Sequence, residues 1–272
     1  MNANLSQAIQ ADAARLLTEG RVKLVIAFRL RDGRGVPAFV TDPAAAADLY
    51  YGPECTLNLA AYLAKPEVRR QMPVALVASP TTLRSLIVLA AESQIPDGSV
   101  VAMAVGPQEY HGAMDIASAA ELVRTKYATP AQDPALRKQL AELRAMTPAQ
   151  RAAFWQEQFA KCTRCYACRA ACPGCYCQQC LVDKNMPQWI STAAAGHGNY
   201  AWHVIRAFHQ AGRCVLCGAC QAACPQGIPL MLLNAQIDQD VQEEFQVTSG
   251  LDPAGKPVMG SWRPDDKDEF IR

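Results

Sequence analysis

The chain has 272 residues, half of them hydrophobic and 19% charged, with 26 Lys and Arg against 25 Asp and Glu for a net charge of +1. That composition suits a globular chain with one sizeable core and a smaller second unit, and it offers no basic surface for nucleic acid. No apolar run approaches the roughly 18 residues that cross a bilayer, so no membrane span is expected; the longest runs, 86–91 and 100–105, are core-sized.

Residues 1–10 show no basic stretch leading into an apolar one, and nothing there directs the chain to an oxidising compartment. A cytoplasmic location is therefore expected, with reduced cysteines. Ala8, Ile9, Ala13, Leu16 and Leu17 recur at helical spacing and Gly20 follows as a stop. Residues 22–30 and 36–40, parted by Asp32-Gly33, read as a strand pair. Asp42-Pro43 predicts a helix through Tyr51, and 56–64 a further one. Residues 71–78 read as a buried strand, Ser79-Pro80 as the start of a helix to about Gln94, and 99–105 as a second buried strand. Strand, helix and strand in short connections predict an α/β domain over 1–125. It carries neither a G-x-G-x-x-G pattern nor a P-loop.

Residues 126–147 read as a linker with a short helix around Leu136, Leu140 and Leu143. Thr147 to Gln150 is a capping-box start, and the stripe Phe154, Trp155, Phe159 leads into the first of two related cysteine runs. These are Cys162, Cys165, Cys168, Cys172-Pro173 and, 52 positions on, Cys214, Cys217, Cys220, Cys224-Pro225. Each is C-x2-C-x2-C-x3-C-P, the spacing in which three thiolates hold one [4Fe-4S] cube and the fourth reaches the other. Cys162, Cys165, Cys168 and Cys224 are thus assigned to a first cluster, and Cys214, Cys217, Cys220 and Cys172 to a second. The last cysteine of each run is expected to open a helix. Zinc normally takes two separated pairs, a pattern these runs do not show. Lys161, Arg164, Arg169 and Arg213 flank the ligands, either as counter-charges or as solvated loop charges.

Between the runs, Cys175, Cys177 and Cys180 offer three more thiolates. They suit a third iron–sulfur cluster or a zinc ion if Cys55, His197, His203 or a partner supplies a fourth ligand; otherwise they are structural thiols, as a lone Cys55 in an apolar setting is. His203 and His209 are six apart and do not form a chelating pair on one helix face; they read as surface or hydrogen-bonded residues. A helix starting near Ile228 runs through Glu244. The dicluster ferredoxin-like domain, mainly helical with a long insertion between the runs, thus covers 148–245, and the turn-rich remainder, 246–272, reads as a docking tail.

The block from Cys162-x2-Cys165-Tyr166-Ala-Cys168-Arg169 to Cys180, with Pro187-x-Trp189, His203-x2-Arg206-x2-His209, Arg213-Cys214 and Cys224-Pro-x-Gly-Ile-Pro229, resembles iron–sulfur proteins related to the beta subunits of formate dehydrogenase and deazaflavin-coenzyme-reducing hydrogenase. Dicluster subunits of heterodisulfide-reductase-like complexes are similar. Residues 58–63 and 82–95 are similar to the same family's α/β domain. The chain lacks the cysteines that relatives often carry near Thr81 or Thr82 and near residues 108–110. The usual family order also places the ferredoxin part first, so FAD is not carried over from the resemblance and no motif supports it. The resemblance implies an electron-transfer subunit of a multi-subunit oxidoreductase, exchanging single electrons with dehydrogenase, hydrogenase or heterodisulfide-reductase-like partners. A flavin-containing reductase and an iron–sulfur sensor or scaffold are the alternatives.

Overall fold

The structure is a computed structural model and describes residues 2–129, 133–184, 186–256 and 258, with backbone alone at 2 and 3. The chain opens with helix α1 (Asn2–Thr18), which buries Leu5, Ile9, Ala13 and Leu16 and stops before Gly20 at φ 66°. Strands β1 (Leu24–Arg31) and β2 (Arg34–Val40) pair antiparallel around Asp32 and Gly33, both at positive φ, as a twisted two-residue hairpin requires. Two expected helices are only single 3-10 segments. Pro43–Asp48, capped by Asp42, ends short of Tyr51, and Leu59–Tyr62 starts only where the Asn58 side chain accepts from Ala60 N. Each starts at a side-chain cap but stays a short 3-10 segment and does not continue as an α-helix. A one-turn helix, α2 (Pro66–Arg69), follows.

Strand β3 (Val74–Ala78) is buried throughout, as expected of a strand covered on both faces. Helix α3 (Pro80–Ala91) starts at Ser79, whose hydroxyl accepts from Thr82 N, and returns the chain to β4 (Val100–Val105), parallel to β3. β1 pairs parallel on the other side of β3, and β5 (Tyr110–Met114) closes the far edge antiparallel, giving the order β2-β1-β3-β4-β5. Sequence periodicity misses β5, whose residues are all half-buried. Helix α4 (Ile116–Lys126), capped by Asp115, packs on α3 and β4, while α1 packs on β1, β3 and β5.

Helix α5 (Pro134–Ala145) is the short amphipathic piece expected in the linker. Its buried Leu136, Leu140 and Leu143 do not wait for a partner: they pack on Leu216, Leu232 and Ala235 of this same chain. The capping box at Thr147 forms and opens α6 (Pro148–Ala160). Then come α7 (Ala167–Ala170), α8 (Gly196–His209), α9 (Ala219–Ala222) and α10 (Leu230–Phe245). Phe159, Val182, Ile190, Trp202, Ile228 and Leu230 form the core between them. After α10 the chain runs back to the amino-terminal part, where Ser249 and Gly250 are buried against Arg84. Residues 257 and 259–272 of the expected turn-rich tail lie outside the described residues. Among the described residues no helix is long and apolar enough to cross a membrane.

Candidate metal centres

The two cysteine runs fold alike. Arg164 and Tyr166 have φ of 57° and 60°; Leu216 and Gly218, 52 positions on, have 54° and 73°. Left-handed residues two apart curl the chain, so that Arg164 N donates to Cys162 Sγ and Leu216 N to Cys214 Sγ, each at 3.4 Å. A side chain makes that conformation cost roughly 1–2 kcal/mol, which glycine at 218 avoids. Tyr166 is held there by its hydroxyl, which donates to Asp183 at 2.7 Å, and by an edge-on contact with Trp202 at 5.0 Å. α7 and α9 then carry the buried Cys168 and Cys220. Contrary to expectation, Cys172 and Cys224 do not open helices; each follows its one-turn helix and precedes a turn. Because α7 and α9 pack on each other, each helix end delivers its last cysteine toward the opposite loop.

Two cavities result. Cys162, Cys165 and Cys168 line the first together with Cys224, and Trp202, His203, Ile228 and Leu230 close it. Cys214, Cys217 and Cys220 line the second together with Cys172; α3 supplies Ser85, Val88 and Leu89 to its wall, and α10 supplies Met231 and Asn234. Asn234 Nδ2 donates to Cys220 Sγ at 3.5 Å. Gln210 accepts from the Cys172 thiol at 3.5 Å and donates to Gly174 O at 3.2 Å and Cys175 Sγ at 3.6 Å. A side chain at Gly174 would collide with that amide.

Burial pushes the Cys168 thiol up to about 11, and burial likewise raises Cys162, Cys214 and Cys220. A thiol that resists ionisation becomes a ligand when a metal replaces its proton. Four sulfurs converging on each of two cavities, with N–H donors aimed at sulfur, fit a cysteine-bound cube. Among the described residues no group of three or more His, Cys, Asp or Glu has the geometry for a single metal ion, whose four thiolates would all lie about 2.3 Å from one centre if it were zinc.

Cys175, Cys177 and Cys180 line a third cavity with Arg169, Arg206 and Arg213. Cys55 is not among its lining residues: its thiol lies 3.9 Å from the Tyr50 carbonyl, partly buried against the amino-terminal core. His197 and His209 are exposed. His203 is not a surface residue: it is 2% exposed, stacks on Phe159 at 4.5 Å, and among the described residues neither ring nitrogen has a hydrogen-bond partner. Burial pulls its pKa down to about 4, aided by Arg206 and Arg164, so it is neutral.

The four flanking cations divide. Lys161 is an exposed loop charge bonded to Gln158. Arg164 is buried, donates to Gly198 O at 2.8 Å and stands over Trp202. Arg169 holds the Cys177 and Gln178 carbonyls at 2.9 and 3.2 Å. Arg213 forms an ion pair with Glu92 at the end of α3. Sequence reasoning assigned no role to Arg206, Gln210 and Asn234, whose places beside the sulfurs depend on how α8 and α10 pack.

Residues 161–229 match the family model of a 4Fe-4S dicluster domain. The chain is 28% identical over 106 residues to the F420-dependent formate dehydrogenase subunit beta of Methanocaldococcus jannaschii, a match covering 39% of this chain and 27% of the relative. It is 30% identical over 110 residues to the F420-dependent formate dehydrogenase 1 subunit beta of Methanococcus maripaludis, covering 40% of this chain and 28% of that one. The matched stretch thus spans only about a quarter of the length of these curated relatives.

Proposed function

We propose that this chain is an electron-transfer subunit that relays single electrons between a partner's redox centre and an acceptor. One [4Fe-4S] cube would be held by Cys162, Cys165, Cys168 and Cys224, and another by Cys214, Cys217, Cys220 and Cys172. The observation that carries this reading is the pair of cavities, each lined by three cysteines of one run and the fourth of the other. The similarity to formate dehydrogenase beta subunits supports a place in a dehydrogenase-type complex. When bound, the cubes supply reversible one-electron exchange without proton transfer.

The chain's own residues would set the conditions for that exchange. The amides of Arg164 and Leu216 and the Asn234 side chain direct hydrogen bonds at ligand sulfur, which stabilises added negative charge. Val88 and Leu89 give the second cavity an apolar wall, whereas Cys165 gives the first an exposed edge. The first cavity is therefore the one placed to meet a partner. In this division of labour 148–245 carries electrons and 1–125 supports it.

Iron analysis of anaerobically prepared full-length chain tests the reading, with about eight irons expected per chain. Fewer than about six, accompanied by stoichiometric zinc, would overturn it. About four irons more, lost on Cys180→Ala, would assign Cys175, Cys177 and Cys180 to a third cluster.

A further inference from the structure

Arg206 projects from α8 and is 5% exposed. Its Nη2 donates to the Cys168 carbonyl at 3.2 Å, and its Nε has no hydrogen-bond partner among the described residues. Among the described residues no carboxylate pairs with it. It lines the third cavity with Cys175, and the Cys220 and Cys175 thiols lie beside its guanidinium. Cys168 lines the first cavity, and Cys172 and Cys220 line the second. A buried cation without a carboxylate is strongly unfavourable unless another anion neutralises it. The dicluster reading, on which this inference rests, supplies two such anions, since a cube with four thiolates is negative in either oxidation state.

We propose that Arg206 is a counter-cation shared by both clusters, which raises the reduction potential of each and keeps the two close together. An electron arriving at either centre adds one negative charge there, and a nearby buried positive charge stabilises it. Arg164 differs. Its amide meets Cys162 of the first cavity, and its guanidinium faces Asp183 at 3.6 Å, so its charge is partly spent and acts on one side.

The test uses the full chain with both clusters loaded, comparing wild type with Arg206→Met, Arg206→Lys and Arg164→Met by iron content and by redox titration followed through electron paramagnetic resonance. Arg206→Met should lower both potentials, each by about a tenfold change in the reduction equilibrium, or about 59 mV for one electron. Arg206→Lys should restore most of both shifts, and Arg164→Met should move only the first cluster. Iron loss in Arg206→Met that Arg206→Lys restores would support the charge as the working feature only if the clusters that remain in Arg206→Met titrate at lowered potentials. Unchanged potentials in an iron-replete Arg206→Met, a shift confined to one cluster, or iron loss in Arg206→Lys as well would overturn the proposal. A wild-type chain lacking two cubes would instead overturn the dicluster reading beneath it.

Discussion

Arg84 is 2% exposed, and its guanidinium satisfies three carbonyls at once: Ser249 at 2.7 and 3.1 Å, Tyr127 at 3.2 Å and Ala128 at 2.9 Å. It ties α3 to the end of α4 and to the chain after α10. Arg84→Met leaves those acceptors unpaired and removes the cation that offsets the buried Asp238, so a loss of roughly 3–5 kcal/mol in unfolding free energy is expected by anaerobic denaturant titration. Burial pushes Asp238 up to about 6, with Arg84 and Gln242 acting the other way. A carboxyl whose folded pKa is raised holds its proton more tightly when folded. Its favourable contribution is therefore complete below about pH 4 and is lost as pH rises through about 6. Asp238→Asn should stabilise the chain above about pH 6 by roughly 2 kcal/mol and change nothing near pH 4, as denaturant midpoints across that range would show. Neither residue's part is legible in the sequence, because 165 positions separate Arg84 from Ser249.

The cysteine loops are the elements most legible beforehand, because the ligand spacing is local and occurs twice. What spacing alone does not show is that the fourth cysteine follows a one-turn helix and that α7 packs on α9. That packing makes the crossed assignment testable. Cys224→Ala should perturb the same spectral signature as Cys162→Ala, and Cys172→Ala the same one as Cys214→Ala; a grouping of each substitution with its own run would refute the crossing. Elsewhere, caps located helix starts well, at Ser79 and Thr147. Lengths were less legible where an expected helix is only a short 3-10 segment, as after Asp42 and Asn58. The apolar stripe of α5 was visible, but its target, the face of α10, was not.

At the scale of the molecule, the α/β layer and the cysteine-bearing part are joined by more than a linker. Glu92 at the end of α3 pairs with Arg213 and accepts from the Tyr176 hydroxyl at 2.8 Å, and Arg124 Nη1 donates to Leu251 O at 3.1 Å. The described residues of the tail thus pack on the chain's own α3 and α4, which sequence could not distinguish from docking on a partner. A chain ending at residue 245 should accordingly be less stable than one ending at 258 by a few kcal/mol, roughly the loss expected for Arg84→Met, and should lose iron sooner on warming. Equal thermal midpoints and iron retention in the two would remove the tail from this account.

The wall that α3 gives the second cavity also bears on how such a chain is made. During synthesis the amino-terminal part emerges first and can fold as a unit. Val88 and Leu89 therefore leave the ribosome well over a hundred residues before Cys214, so one side of the mould stands before its cysteines exist. The reverse would hold for the proposed ligands, since Cys172 would wait for the second run and the first set would be completed only by Cys224. On the proposed ligation, metal insertion would then be a late and concerted event. Interrupting translation between the two runs should yield an α/β layer already formed yet unable to retain a complete cube.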